Sequence, residues 1–262
     1  MLKKRLIPVL LLKNGLLVRS EAFEIHQIIG NPIHEAKRFN EWNVDELIYL
    51  DISKSYEYDL RRDDHKIKGL SDHLAILDEV SKTCFMPLTW GGKIRTISQM
   101  QEIISRGADK IVINTVAVEH PQLITQAANV LGSQAVVVSI DVFRQTDGKM
   151  LVFINGGSQP TDLKPERWAK EAEERGAGEI LLNSINRDGT GTGYDLELIN
   201  AVSFNTKIPI IACGGVGKYE HYIEGIEAGA SAVAAANIWH FKELSDRGSK
   251  RVLAKAGIGV RL

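Results

Sequence analysis

Cysteine is scarce in this chain: only Cys84 and Cys213 occur among 262 residues. Both stand in or beside apolar runs and read as buried thiols, in keeping with a reducing, cytoplasmic compartment. No histidine or cysteine cluster has ligand spacing, so the reading includes no metal and no cofactor. No stretch approaches the ~20 apolar residues that span a bilayer. Charge of one sign is missing too: 32 Lys and Arg offset 33 Asp and Glu, which excludes a general attraction to nucleic acid or anionic membrane. The opening MLKKRLIPVLLLKNG faintly resembles a leader. Its apolar run is short, lacks a small-residue cleavage site and ends in Lys13-Asn14-Gly15, so it reads as a buried first strand. What remains is an ordinary globular composition, 44% hydrophobic and 25% charged, sufficient for a full core.

The chain repeats itself. Residues 208–237 read IPIIACGGVGKYEHYIEGIEAGASAVAAAN, and residues 86–115 read MPLTWGGKIRTISQMQEIISRGADKIVINT. Pro87 matches Pro209, Gly91-Gly92 matches Gly214-Gly215, and Gly107-Ala108-Asp109 matches Gly229-Ala230-Ser231. The shared phrase is strand, glycine turn, helix, strand, and its recurrence describes a doubled half. A glycine pair after a strand permits a sharp turn and leaves amide N–H groups bare for an anion, most often phosphate. Two matched loops point to a substrate with a phosphate at each end; tight strand–helix turns alone are the plainer alternative.

Eight apolar runs rich in Val, Ile and Leu lie at 6–12, 46–52, 85–90, 110–114, 135–141, 179–184, 208–213 and 231–236. They do not alternate with polar residues, as expected of parallel strands buried on both faces. Helical patterns fall between them at 32–41, 71–81, 97–106, 121–130, 165–175, 196–203, 219–227 and 238–246. Eight such units predict an α/β fold, a (β/α)8 TIM barrel built from two similar half-barrels and forming one domain over residues 1–262. A doubly wound open sheet is the alternative. Two segments depart from the pattern: a long charged loop at 54–69, and a small hairpin predicted by Thr146-Asp147-Gly148 between Phe143 and Val152.

Active sites of such barrels lie at the C-terminal ends of the strands. Polar residues expected there are Asp51, Thr89, Asn114, Asp141, Asn183 and Asn237. Asp141 is the sharpest candidate for acid–base work, because it ends VVVSID with little else polar. Asp51 and Asp188 could bind substrate hydroxyls or simply hold turns. At the other end, Arg5, Glu46, Lys110 and Glu179 begin strands and could form a ring of ion pairs across the barrel bottom.

Along nearly its whole length the chain resembles the cyclase subunit of imidazole glycerol phosphate synthase. The phrases that carry the resemblance are DELIYLDI, WGGKIRTISQ, GADKIVINTVAVEHPQLI, GSQAVVVSID, WAKEAEERGAGEILLNSINRDGTGTGYD and IPIIACGGVGKYEHYIEG. The resemblance implies a barrel of the lyase/cyclase class paired with a glutaminase subunit as a heterodimer. Ammonia would enter at the bottom and meet a bis-phosphorylated substrate of histidine biosynthesis at the top. It also implies that Arg5, Glu46, Lys110 and Glu179 are the ammonia gate and that Asp109 lies where the glutaminase docks. Asp51, Gly91, Gly92, Asn114 and Thr115 would contact substrate or phosphate in one half. Asp188, Gly189, Gly214, Gly215, Ala236 and Asn237 would do so in the other.

The departures from that family are specific. Its cyclase uses two aspartates, ending the first and fifth strands; the fifth keeps Asp141, but the first has Leu11. Asn14 replaces a neighbouring aspartate, and Arg19 a lysine. Asn183 and Asn186 stand for a threonine and an aspartate, and Asn237 for a serine. The loop after the second strand carries roughly ten extra residues. A leucine moves no proton, and losing one of an acid–base pair commonly costs ~10²–10⁴ in rate. The expectation is a paralogue that handles ammonia without the histidine-pathway cyclisation. Divergent members of the family pass ammonia to a sugar amidotransferase that makes an amidino group on a surface-polysaccharide precursor. The alternatives are an authentic cyclase with substituted acid–base groups, a non-catalytic scaffold that activates its glutaminase, and, less favoured, a phosphosugar isomerase.

Overall fold

The computed structural model describes residues 3–42, 44–59, 70–241 and 245–261. In chain order the first elements are β1 (Arg5–Lys13), β2 (Leu16–Glu21), β3 (Ile25–Gly30), α1 (Pro32–Trp42), β4 (Leu47–Asp51), α2 (His73–Ser81) and β5 (Leu88–Gly91). There follow α3 (Ile97–Ser105), β6 (Lys110–Ile113), α4 (Thr115–Glu119), α5 (Gln122–Leu131), β7 (Val136–Arg144), β8 (Met150–Ile154), β9 (Gln159–Pro160), α6 (Pro165–Glu174) and β10 (Glu179–Ser184). The chain finishes with α7 (Leu196–Asn205), β11 (Ile210–Cys213), α8 (Glu220–Glu227), β12 (Ala232–Ala235), α9 (Ile238–Phe241) and α10 (Ser245–Lys255).

Eight of these strands pair in parallel in the order β1-β4-β5-β6-β7-β10-β11-β12, and β12 returns to β1. The closed sheet with helices between its strands is a (β/α)8 barrel, as the eight apolar runs predict, and the open-sheet alternative falls. Side-chain alternation divides the core in two. One cluster fills the bore: Ile7, Val9, Ile48, Val112, Val137, Leu181, Ile211, Ala232 and Ala234. The larger cluster, including Phe39, Tyr49, Trp90, Trp168 and Trp239, lies between the barrel wall and its helices.

Local signals explain the element ends. Asp72 caps α2 by accepting from the Leu74 and Ala75 amides, and Thr96 with Gln99 forms a capping box on α3. The hairpin β7–β8 turns at the predicted Asp147-Gly148. A second hairpin, β2–β3, falls outside the sequence reading. Its entry from β1 is the pair Asn14-Gly15, both at positive φ (51° and 79°), which suits a two-residue turn. The strand expected from Phe85 begins instead at Leu88, and Phe85 is 83% exposed. The last expected helix is two, α9 and α10; the latter runs on to Lys255, shortly before Gly257 at φ 78°.

At the N-terminal end of the strands, α10 is fastened by a buried ion cluster. Lys250 Nζ lies 3.1 Å from Asp45 Oδ1 and 3.2 Å from Asp246 Oδ1. Asp45 Oδ2 in turn accepts from the Leu6 amide at 2.9 Å, tying helix to first strand. Burial pushes the Asp246 carboxyl up to about 6, with Lys250 opposing the rise. Lys250→Met leaves both carboxylates buried without their cation and is expected to cost about 3–5 kcal/mol in urea unfolding at neutral pH. The deficit should shrink as pH falls through 6, because the protonated carboxyl needs no partner.

Candidate active site

The barrel offers chemistry at both ends, and the strands that carry it are set by the two-residue alternation. At the bottom, Arg5, Glu46, Lys110 and Glu179 meet across the bore. Arg5 binds Glu46 Oε2 at 2.6 Å and Glu179 Oε1 at 2.5 Å; Lys110 Nζ binds Glu46 Oε1 at 3.0 Å and Glu179 Oε2 at 2.8 Å. Each carboxylate therefore bridges both cations. Thr89, expected at the opposite end, sits here and donates to Glu46 Oε1 at 2.8 Å. It is the second residue of the short strand β5, whose C-terminal end is Gly91. Asp109 is exposed on this same face, and its Oδ2 accepts from the Leu88 amide at 2.8 Å.

Above the ring the described residues make the bore apolar apart from Ser139, which shares the inward face of β7 with Val137 and Asp141. At the mouth the strands split into two arcs. Leu11 and Leu50, register partners on β1 and β4, and Ala236 beyond β12 pack on the bore residues as an apolar arc. Asn114, Asp141, Asn183 and Cys213 form the polar arc, the last three being register partners across β7, β10 and β11. Asn114 Nδ2 donates to Asp141 Oδ2 at 2.6 Å, and Ser139 Oγ reaches Asp141 Oδ1 at 3.5 Å. Burial pushes the Asp141 carboxyl up to about 7 and the Cys213 thiol up to about 12.

The other two candidate carboxylates are already engaged. Leu50 faces the bore, so Asp51 faces outward, away from the mouth. Its oxygens accept from the Ser53 amide and hydroxyl and from Tyr58 Oη at 2.9 Å, and Lys93 Nζ pairs with it at 2.9 Å. Asp51 thus fastens the loop that follows β4, whose residues 60–69 lie outside the described ones. Asp188 Oδ2 accepts from Ser20 Oγ at 2.6 Å and from the Phe23 amide at 3.3 Å, holding the β2–β3 hairpin against the barrel. Burial raises its carboxyl, and these two donors oppose the rise. Asn186 is tied to the Arg144 backbone from both ends of its amide.

Both glycine pairs adopt tight turns. Gly92, Gly214 and Gly215 have φ of 99°, 94° and 101°. A Cβ on Gly92 would collide with the Asp51 carbonyl, and one on Gly215 with the Gly193 carbonyl. Close backbone approach is therefore sufficient reason for glycine at both, whether or not an anion binds. Gly189 likewise has φ 73° and lies against the backbone at Ser20. Thr115 Oγ1 accepts from the Asn155 amide at 3.0 Å, and Asn237 Nδ2 donates to the Ser20 carbonyl at 3.0 Å. Each of these residues stands beyond a strand end at the mouth.

Comparison with known proteins agrees with this layout. Residues 5–245 match a family described as histidine biosynthesis protein. The chain is 45% identical over 262 residues to the imidazole glycerol phosphate synthase subunit HisF of Thermotoga sp. (strain RQ2), covering 100% of this chain and 99% of that one. It is 44% identical over 263 residues to the subunit of the same name from Pyrococcus furiosus, with both chains fully covered. Against that of Gluconacetobacter diazotrophicus the identity is 42% over 264 residues, covering 100% and 97%.

The burial of Asp141 has a measurable consequence. Its carboxyl titrates near 7 when folded and at 3.8 by default, so the folded state holds the extra proton and stability falls as pH rises between those values. The loss is on the order of 4 kcal/mol. Asp141→Asn is expected to flatten the pH profile of the melting temperature over that interval and to raise stability above it.

Proposed function

The chain belongs to the histidine biosynthesis protein family, and on that premise we propose that it is the barrel subunit of a glutamine amidotransferase. It receives ammonia from a glutaminase partner at the ring end and releases it at the mouth. The observation that carries this reading is the bridged ring of Arg5, Glu46, Lys110 and Glu179 closing an apolar bore. Neutral ammonia crosses such a bore at little cost, whereas ions face a large desolvation penalty. A partner on the ring face would meet Asp109 and two open aromatic side chains, Phe85 and Phe204, 83% and 88% exposed.

Two readings of the acceptor follow. The relatives' names and full-length similarity favour imidazole glycerol phosphate synthesis. A bis-phosphorylated substrate would then sit across the mouth. One phosphate would lie at Gly91, Gly92 and Thr115, with Asn114 contacting the substrate beside Asp141. The other would lie at Gly189, Gly214, Gly215, Ala236 and Asn237, with Asp188 holding the turn beside it. Asp141 would act as acid or base. Leu11 favours delivery to another acceptor, such as a sugar amidotransferase partner forming an amidino group; that acceptor has support from Leu11 alone, so the comparisons lean towards the cyclase. Neither Asp51 nor Asp188 is free to stand in for a missing carboxylate, which keeps the question at Leu11.

An assay of the isolated chain with the bis-phosphorylated intermediate and concentrated ammonium salt separates the two, since ammonium bypasses the glutaminase. If Leu11 disables cyclisation, the parent turns over slowly and Leu11→Asp gains ~10²–10⁴-fold. Turnover by the parent at ordinary rates, ~1–10³ s⁻¹, would establish the cyclase and overturn the argument from Leu11. Lys110→Met tests the conduit itself. With the glutaminase bound, glutamine hydrolysis should persist while ammonia transfer to the acceptor falls; equal retention of both would make the barrel an activating scaffold.

A further inference from the structure

The polar arc of the mouth has too many acceptors. Asp141 Oδ2 accepts from Asn114, but Asp141 Oδ1 has only the Ser139 hydroxyl at 3.5 Å. Among the described residues the Asn114 Oδ1 and Asn183 Oδ1 atoms are buried with no hydrogen-bond donor. Asn183 is 9% exposed, and alternation on β10 from Glu179 and Leu181 aims it inward, beside Asp141. Among the described residues no lysine, arginine or histidine hydrogen-bonds or ion-pairs with Asp141. A buried acceptor left unmet costs about 1–3 kcal/mol, and more when it is charged. Opposite these groups stand Leu11, Leu50 and Ala236, which offer nothing polar. The occupant that satisfies this half-polar funnel is small, positive and rich in N–H donors; an anion is repelled by it.

We propose that Asn114, Asp141 and Asn183 form a holding site for an ammonium ion at the exit of the bore. Ammonia leaving the bore takes the carboxyl proton of Asp141, giving ammonium against carboxylate. Its remaining N–H bonds are accepted by the Asn114 and Asn183 carbonyl oxygens. On release the proton returns to Asp141 and neutral ammonia departs, so the step is balanced and consumes nothing. The inference rests on the reading of the chain as an ammonia carrier, yet the binding is a property of this chain alone.

The test is thermal unfolding of the isolated full-length chain, titrated with ammonium chloride against equal sodium chloride, with potassium chloride as a size-matched control. The melting temperature should rise saturably with ammonium above the sodium response. Asn183→Leu should weaken the half-saturation concentration at least tenfold, and Asp141→Asn should abolish the response. Should Asn183→Leu fail to fold, Asn183→Ser carries the same expectation. An ammonium response equal to that of sodium or of potassium, or an Asn183 variant that folds and responds like the parent, would overturn the proposal. A chain that binds ammonium but transfers none from a glutaminase keeps the site and loses the amidotransferase reading; transfer without ammonium binding does the reverse.

Discussion

Four charges meeting across one end of the bore are the constraint on which the rest of the molecule turns. Glu46 is 2% exposed as a side chain and Glu179 11%, yet each is met by both a guanidinium and an ammonium group. Taking these ions out of water costs several kcal/mol apiece, and an apolar plug of the same volume would be at least as stable. Stability is therefore a poor reason for the ring. A closed set of bridges has another property: breaking one contact leaves each ion with a second partner, so the ring can loosen without stranding a bare charge. A plug of leucines could seal the bore but could not open by exchange of partners.

The same physics sorts the three acids nearest the mouth. Asp51, Asp141 and Asp188 all lie towards the same end of the barrel, Asp141 within β7 because that strand runs on to Arg144, but their surroundings differ. Asp51 has a lysine, a tyrosine and a serine, and spends its charge on holding a loop. Asp188 has a hydroxyl and an amide, and holds a hairpin. Asp141 has one amide donor, a hydroxyl at 3.5 Å and, among the described residues, no cation, and burial moves it up to about 7. A group that can both hold and yield a proton near neutrality is suited to chemistry, whereas a saturated carboxylate is suited to architecture.

Much of this was legible in the sequence because it depends on period and punctuation. The eight Val-, Ile- and Leu-rich runs and the repeated glycine pairs carried the barrel, and charges at the starts of four strands carried the ring. The side to which a strand-end residue points was harder. Asp51 and Asp141 look alike in IYLD and VVVSID, and only the register of Leu50 with Leu11, and of Asp141 with Asn183, puts one outside the bore and the other inside. Thr89 was misplaced because β5 is four residues long and begins later than its apolar run. The β2–β3 hairpin had a readable signal in Asn14-Gly15, hidden by the unbroken leucines before it.

Leu11 changes more than a count of carboxylates. An aspartate at that position would put a second negative charge across the mouth from Asp141, and a substrate held between them could exchange protons with both. With leucine there, the polar groups facing the bore among the described residues are Asn114, Asp141, Asn183 and Cys213, and Leu11, Leu50 and Ala236 present hydrocarbon opposite them. Such a funnel offers acceptors on one wall and hydrocarbon on the other, so a ligand between them can exchange protons on one side only. The lower dielectric strengthens whatever contact Asp141 makes. Leucine at position 11 thus leaves Asp141 as the one carboxylate among the described residues that faces the mouth from the bore side, with Asn114 and Asn183 beside it and an apolar bore beneath.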